Sequence, residues 1–378
     1  MITRITLLFA SLSLSITVLF AQQTLNETVD VGGTTRSYIV YIPAMYDAAV
    51  PTPLMFNFHG FTQQASSFMN SSAMREVADT AGFILVYPQG SSFFGAPHWN
   101  VGAWTNGSTA DDLGFTEAMI DALDAAYSID LNRVYSCGYS NGGYFSYELA
   151  CQLSDRIAAI GSVGGKMSSE TFNACDPEHL MPVVSIHGTA DGTVAYATSA
   201  PSNSKTIAET NEYWIDFNSL PSNTTLTALP DTDPNDGSMV DLLSFSDGCS
   251  AVDHYRVVGG GHDWVGVRGN MDIDASSVIW NFVSQYTLDG LIGCSPVSSV
   301  SESAFAKTPH IYPNPTSGLV TIDMELTEAV NCDIFNLTGQ LVSSRKIGPS
   351  NKTIDVSELT KGVYFLAVGG ERVRLVRG

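Results

Sequence analysis

The stretch that most constrains this chain is Gly138-Tyr139-Ser140-Asn141-Gly142, a GxSxG directly after the apolar run Arg133 to Tyr139 and directly before a helical pattern through Tyr144, Tyr147, Glu148 and Cys151. A serine at a sharp strand-to-helix turn is held in a strained backbone conformation. The flanking glycines are needed because a Cβ there would collide with the adjoining strand and helix. Such a turn lifts the hydroxyl clear of a sheet and requires that strands alternate with helices around it.

The rest of the body has that alternation. From Thr35 to Leu288, short β-rich apolar runs read as strands: Tyr38 to Ile42, Leu54 to Phe58, Phe83 to Tyr87, Arg133 to Tyr139, Ile157 to Val163, Val183 to His187 and His254 to Val258. Runs that are apolar on both faces indicate a buried, mostly parallel sheet. Met74, Val77, Ala78 and Ala81 recur at helical spacing and stop at Gly82, and Phe115, Met119, Leu123 and Ala126 follow the acidic pair Asp111 and Asp112. Both read as amphipathic helices with sensible ends. The fold class expected is a doubly wound α/β layer structure.

A serine hydroxyl is a poor nucleophile until a base takes its proton, so an aspartate and a histidine should follow it in the chain order Ser, Asp, His. Asp191, in His187-Gly188-Thr189-Ala190-Asp191-Gly192, lies just past an apolar strand, where open α/β sheets place their working loops. His262, in Gly259-Gly260-Gly261-His262-Asp263-Trp264, also lies just past a strand, and three glycines there cost backbone entropy that a plain turn would not require. His59 and His187 each precede a glycine at a strand end and read as loop organisers. Asp263 is expected to point away from its neighbour. Two backbone N–H donors should meet the oxyanion; Asn141 supplies one, and the second is assigned to Phe61 with Thr62 as a near alternative. Trp99, Trp104 and Trp264 are candidates for an apolar substrate-binding cleft, and core packing is the competing reading. Asp231 to Gly237 has the first spacings of a calcium loop, but it lacks the distal glutamate and reads more simply as a hairpin turn; no metal is expected.

The N-terminus, MITRITLLFASLSLSITVLFAQQ, puts Arg4 ahead of an uncharged run from Ile5 to Ala21. It reads as a signal peptide over residues 1–21, cleaved after Ala21. No later segment has about eighteen uninterrupted apolar residues, so no membrane span is expected. Net charge is −21, yet the tail from Lys307 onward holds eight of the 17 basic residues and seven of the 38 acidic ones. The tail is therefore near neutral and the body strongly acidic. Such a surface argues against nucleic acid as a partner, because like charges repel over roughly 8 Å at physiological salt. Cys137, inside an apolar run, reads as a buried free thiol. Pairing Cys151 with Cys175 and Cys249 with Cys294 is the disulfide hypothesis for an exported chain. Residues 295–309, SPVSSVSESAFAKTP, read as a linker between a domain over 22–294 and a small β-rich sandwich over 310–378.

Taken together, HGFTQQ, YPQG, DDLGF, GYSNGG, HGTAD and GGGHDW resemble the polyhydroxybutyrate depolymerase and feruloyl esterase-like family of extracellular esterases, over roughly residues 25 to 290. The resemblance implies an α/β-hydrolase fold, no cofactor, and a triad that falls on Ser140, Asp191 and His262. Two departures from the family pattern, Val265 after the tryptophan and Phe61 after the His-Gly pair, are placed by the binding cleft and bear on substrate. In the tail, YPNPTSG, DVSEL and KGVYF resemble the C-terminal sorting domain of the type IX secretion system, which implies export through that machinery and removal or exchange of the tail. The expected activity is hydrolysis of a polymeric ester, either feruloyl or acetyl groups on polysaccharide or polyhydroxyalkanoate. A contrasting reading is a non-catalytic surface polysaccharide-binding protein on a hydrolase scaffold. It would need a broken triad, and nothing in the sequence shows one.

Overall fold

The computed structural model describes residues 22–294, 310–324, 326, 329–336, 340–368 and 371–378. The expected signal peptide (1–21) and linker (295–309) lie outside the described residues. The chain divides into two compact units, Met1–Pro296 and Val297–Gly378.

The first unit is built on strands β1 (Gln23–Val31), β2 (Thr34–Ile42), β3 (Thr52–Phe58), β4 (Ile84–Pro88), β5 (Ser91–Phe93), β6 (Ala96–His98), β7 (Ile129–Tyr139), β8 (Ala159–Val163), β9 (Val183–Gly188), β10 (Thr225–Ala228), β11 (Met239–Ser246) and β12 (Ala251–Val258). Its helices are α1 (Ala65–Ser71), α2 (Met74–Ala81), α3 (Asp112–Ala126), α4 (Asn141–Gln152), α5 (Ser169–Ala174), α6 (Ile207–Phe217) and α7 (Ala275–Val283). Ten strands form one sheet in the order β1-β2-β4-β3-β7-β8-β9-β12-β11-β10. The six from β4 to β12 run parallel, and the pairs at either edge are antiparallel. β5 and β6 make a separate hairpin.

Alternation along the strands explains why helices cover both faces. Leu54, Phe56 and Phe58 of β3 pack with Phe115, Met119 and Ile120 of α3, Phe145 of α4 and Trp214 of α6. Met55 points to the opposite layer, with Phe68 of α1, Ala78 of α2 and Ile279 of α7. The helix ends follow the chemistry read from the sequence. Gly82 closes α2 at φ 76°, its N–H on Ala78 O, and the Asp111 carboxylate caps α3 by accepting from the Gly114 N–H.

In the ten-stranded sheet β1, β10 and β11 were not anticipated, and neither was the β5–β6 hairpin. β1, β10 and β11 lie at or next to a sheet edge, and their patterns, part-exposed in β1 and β11 and exposed throughout in β10, lack the apolar run that identifies a buried strand. The run Tyr38 to Ile42, read among the parallel strands, belongs to β2 and lies antiparallel to β4. Asp231 to Gly237 falls in the connection between the antiparallel strands β10 and β11. Disulfides join Cys151 to Cys175 and Cys249 to Cys294, while Cys137 is buried and free. Among the described residues, no helix is long and apolar enough to cross a membrane.

The second unit is antiparallel throughout its named sheets. One sheet holds His310–Tyr312, Leu319–Asp323 and Thr353–Asp355; the other holds Leu341–Ile347, Val330–Asn336, Gly362–Val368 and Glu371–Arg377. Val320, Ile322, Cys332, Ile334, Leu366 and Leu375 share its core.

Candidate active site

β7 ends at Tyr139 and α4 begins at Asn141, so Ser140 alone makes the turn between them. Its backbone sits at φ 54°, ψ −117°. A positive φ of this kind costs a residue with a Cβ on the order of 1–3 kcal/mol and persists only where the surroundings enforce it. Here they do. A Cβ on Gly138 would stand 2.4 Å from the Gly142 carbonyl, and one on Gly142 would stand 2.1 Å from Phe58 O. The Ser140 N–H is held by Val163 O of β8 at 2.8 Å. The glycines of the motif thus let α4 close against β7 and β3, which leaves the serine nowhere to relax.

His262 Nε2 lies 2.9 Å from Ser140 Oγ, and His262 Nδ1 lies 2.6 Å from Asp191 Oδ2. Two loops from neighbouring strands make this meeting possible. A Cβ on Gly188 would stand 2.3 Å from the carbonyl oxygens of both Gly260 and Gly261, and one on Gly260 would stand 2.4 Å from Val257 Cγ1. The Ala190 N–H donates to Gly260 O at 2.9 Å. The glycines around His262 are therefore a close-approach requirement: the loop carrying Asp191 and the loop carrying His262 touch backbone to backbone. Gly164 serves the ring itself, since a Cβ there would lie 3.0 Å from His262 Nδ1. The Tyr139 hydroxyl donates to His262 O at 2.7 Å.

Asp191 is buried and saturated. Its Oδ1 accepts from the N–H groups of Thr193 (2.8 Å) and Val194 (2.7 Å). Its Oδ2 faces His262 and also His187 Nε2 at 3.3 Å, the latter nitrogen donating to Val194 O at 2.8 Å. Burial alone would raise the Asp191 carboxyl, but the contacts from His187 and His262, with the Val194 amide, outweigh it and hold it well below the usual carboxylate range. A carboxylate so fixed orients an imidazole and stabilises the imidazolium. Asp263 turns away to Arg268, its Oδ1 2.5 Å from Nε.

The remaining candidates divide. The Asn141 N–H stands at the first position of α4, a helix N-terminus with unpaired amides. In the facing loop, the Gly60 N–H is taken by Gln63 Oε1 at 2.8 Å and the Thr62 N–H by Pro97 O at 2.9 Å, and no acceptor meets the Phe61 N–H among the described residues. Trp99 and Trp264 require correction as cleft-lining residues. Trp99 is fully buried, its ring packed on Phe58 and Phe145 and its Nε1–H donating to His59 O. Trp264 is buried against Phe68 and Tyr139 and donates to Ser276 Oγ. Val265 is also in the core. The large apolar area of these side chains draws them under the loops rather than over them. Trp104 is half-buried, edge-on to Tyr144.

His59 organises its loop: Nδ1–H donates to Gly60 O and Nε2 accepts from the Gly90 N–H, and burial pushes its pKa down to about 4. Lys166, which sequence reasoning passed over, is fully buried with Nζ donating to Ala195, Thr198 and Ala200 carbonyls at 2.8, 2.7 and 2.9 Å. It clamps the segment that follows Asp191. A lone lysine after Gly-Gly gives no sequence signal for this, because the acceptors are main-chain atoms about thirty residues away.

Residues 36–202 match the family model described as Esterase PHB depolymerase, and residues 310–377 match that of the Secretion system C-terminal sorting domain. A bifunctional acetylxylan esterase/xylanase of Neocallimastix patriciarum is 27% identical over 78% of this chain and 39% of its own length. Feruloyl esterase B of Piromyces equi is 30% identical over 43% of this chain and 30% of its own. The chain thus spans well under half the length of these two relatives. Among solved structures, an acetyl xylan esterase from Aspergillus awamori superposes at a TM-score of 0.50 with 16% identity, covering 70% of this chain and 99% of that one. The first unit has the α/β-hydrolase fold, and the sorting domain marks the chain as secreted, extracellular or at the cell surface.

Proposed function

We propose, from a chain that carries an Esterase PHB depolymerase domain in its body and a secretion sorting domain at its C-terminus, that the protein is an exported serine hydrolase of carboxylic esters. The observation that carries this reading is the line of hydrogen bonds from Ser140 Oγ through His262 to Asp191. In this reading residues 1–21 are a signal peptide, 22–294 the esterase domain, 295–309 a linker and 310–378 the domain read by the type IX machinery.

The reaction is acyl transfer. With Nδ1–H given to Asp191, His262 Nε2 accepts the Ser140 proton as Oγ attacks the ester carbonyl. The N–H groups of Asn141 and Phe61 donate to the oxyanion, an interaction worth several kcal/mol in the transition state. The imidazolium returns its proton to the departing alcohol, which leaves an acyl-Ser140. Water then enters, His262 takes its proton, and the acid departs as Oγ is reprotonated.

Feruloyl or acetyl groups on polysaccharide are the preferred substrates, supported by the two relatives named for those activities. Polyhydroxyalkanoate is the second reading, favoured by the domain description. Hydrolysis of p-nitrophenyl acetate, ethyl ferulate, acetylated xylan and hydroxybutyrate oligomers by the wild type and by Ser140→Ala tests both levels. Loss of all turnover in the variant is expected, and turnover retained by Ser140→Ala contradicts the assignment.

A further inference from the structure

The β5–β6 hairpin is fastened at its base to both sides of the acyl site. The Asn141 side chain holds the Trp99 peptide from two sides, Oδ1 accepting its N–H at 2.7 Å and Nδ2 donating to its carbonyl at 3.1 Å. Pro97 O takes the Thr62 N–H in the loop that carries Phe61. From that base the register Ser91↔His98, Ser92↔Pro97, Phe93↔Ala96 runs outward to a two-residue tip, Phe94-Gly95.

The tip breaks a local rule. Both residues have positive φ, 49° at Phe94 and 85° at Gly95. This is the geometry for which asparagine, aspartate or glycine is favoured at the first position. Phenylalanine there carries backbone strain, and its ring is 95% exposed, so packing within the chain gives little in return. Strain retained with only the neighbouring Phe93 ring as a partner points to use of the side chain. Phe94 leans on Phe93, ring centroids 4.5 Å apart, and Phe93 stacks on His98 at 4.9 Å.

Phe93 also forms one wall of a hollow of about 470 Å³ lined by Thr34, Ser91, Ser92, Ser108 and Thr109, with the Ser108 hydroxyl held by His98 Nε2 at 2.7 Å. The cation in its lining, Arg36, is committed to Asp112 at 2.7 Å. A ligand suited to this place has an apolar ring face for the phenylalanines, an edge of hydroxyls for the serines and threonines, and no negative charge, which the net charge of −21 would repel. Those are the properties of a neutral sugar ring.

We infer that the β5–β6 hairpin and the hollow beside it form a carbohydrate subsite, in which Phe94 stacks on a neutral pyranose of the polysaccharide whose acyl group is presented to Ser140. This rests on the esterase reading for the identity of the reacting group, but not for the binding itself.

The test compares Phe94→Asn and Phe94→Tyr with the wild type on acetylated xylan and on p-nitrophenyl acetate. Phe94→Asn should lower kcat/KM on the polymer about tenfold, chiefly through KM, and leave the small ester within about twofold. Its Tm should be unchanged or higher because the turn is relieved, and Phe94→Tyr should retain polymer turnover. In parallel, catalytically dead Ser140→Ala should be retarded on native gels containing xylan, and the added Phe94→Asn change should abolish the retardation. Equal effects on polymer and small ester, or none on either, overturn the subsite. So does a wild type that hydrolyses p-nitrophenyl acetate but neither binds nor deacylates xylan. A wild type inactive on every ester contradicts the esterase reading instead, and the gel retardation then decides the subsite by itself.

Discussion

Asp191 divides its two oxygens between two tasks: Oδ1 closes its own turn on the Thr193 and Val194 amides, and Oδ2 is left for the imidazoles of His262 and His187. Asp191→Asn keeps the shape but presents an amide where the ring needs an acceptor. It should lower kcat on p-nitrophenyl acetate by about 10⁴ while the far-ultraviolet dichroism stays that of the wild type. A fall of less than about tenfold would mean that Asp191 does not orient His262. Lys166 acts one step further out, through the loop it holds. Lys166→Met leaves the carbonyls of Ala195, Thr198 and Ala200 without their donor. It should lower both Tm and kcat, with KM nearly unchanged, since three hydrogen bonds from a charged donor to half-exposed or exposed residues are lost, on the order of 1 kcal/mol each. Ser140, Asp191 and His262 were legible because each sits at a strand end with glycines that only a close approach explains. The sequence does not tell which side of a loop a tryptophan takes, so Trp99 and Trp264 read as cleft residues while their rings went to the core. Lys166 and the second contact of His187 were illegible for a related reason, since their partners become neighbours only in three dimensions.

Among the elements, the central strands announced themselves because both faces are buried, and α2 and α3 because their caps and stops agree with their periodicity. The outer strands β1, β10 and β11 are part-exposed or, in β10, exposed throughout, and have no such run, which is why the sheet is wider than the sequence suggested. The packing of α7 on β8 offers a test of the layered arrangement: Gly161 is small because Ile279 fills the space above it, a Cβ there meeting Ile279 Cγ2 at 2.8 Å. Ile279→Ala should cost about 2–4 kcal/mol in urea unfolding through the cavity it leaves, with kcat/KM unchanged in the folded protein. A cost below about 1 kcal/mol would show that α7 is not packed there as described.

For the whole molecule, two buried histidines make stability depend on pH. Burial pushes His59 down to about 4 and His254 down to about 3 from an ordinary value of 6.5. Between those values the unfolded chain binds more protons than the folded one, so stability is full above pH ~6.5 and falls as the pH drops, by on the order of 3 kcal/mol for each histidine at pH 4. Urea midpoints measured from pH 7 to pH 4 should decline accordingly, and His254→Gln should flatten the decline; a flat wild-type profile would rule out two neutral buried imidazoles. The central claim, that His262 activates Ser140, is tested most directly by the rate at which a fluorophosphonate modifies each variant, followed by peptide mass mapping. A single adduct on Ser140 is expected, forming at least about 10³-fold more slowly in His262→Ala. An adduct on another residue, or an undiminished rate without His262, would contradict it.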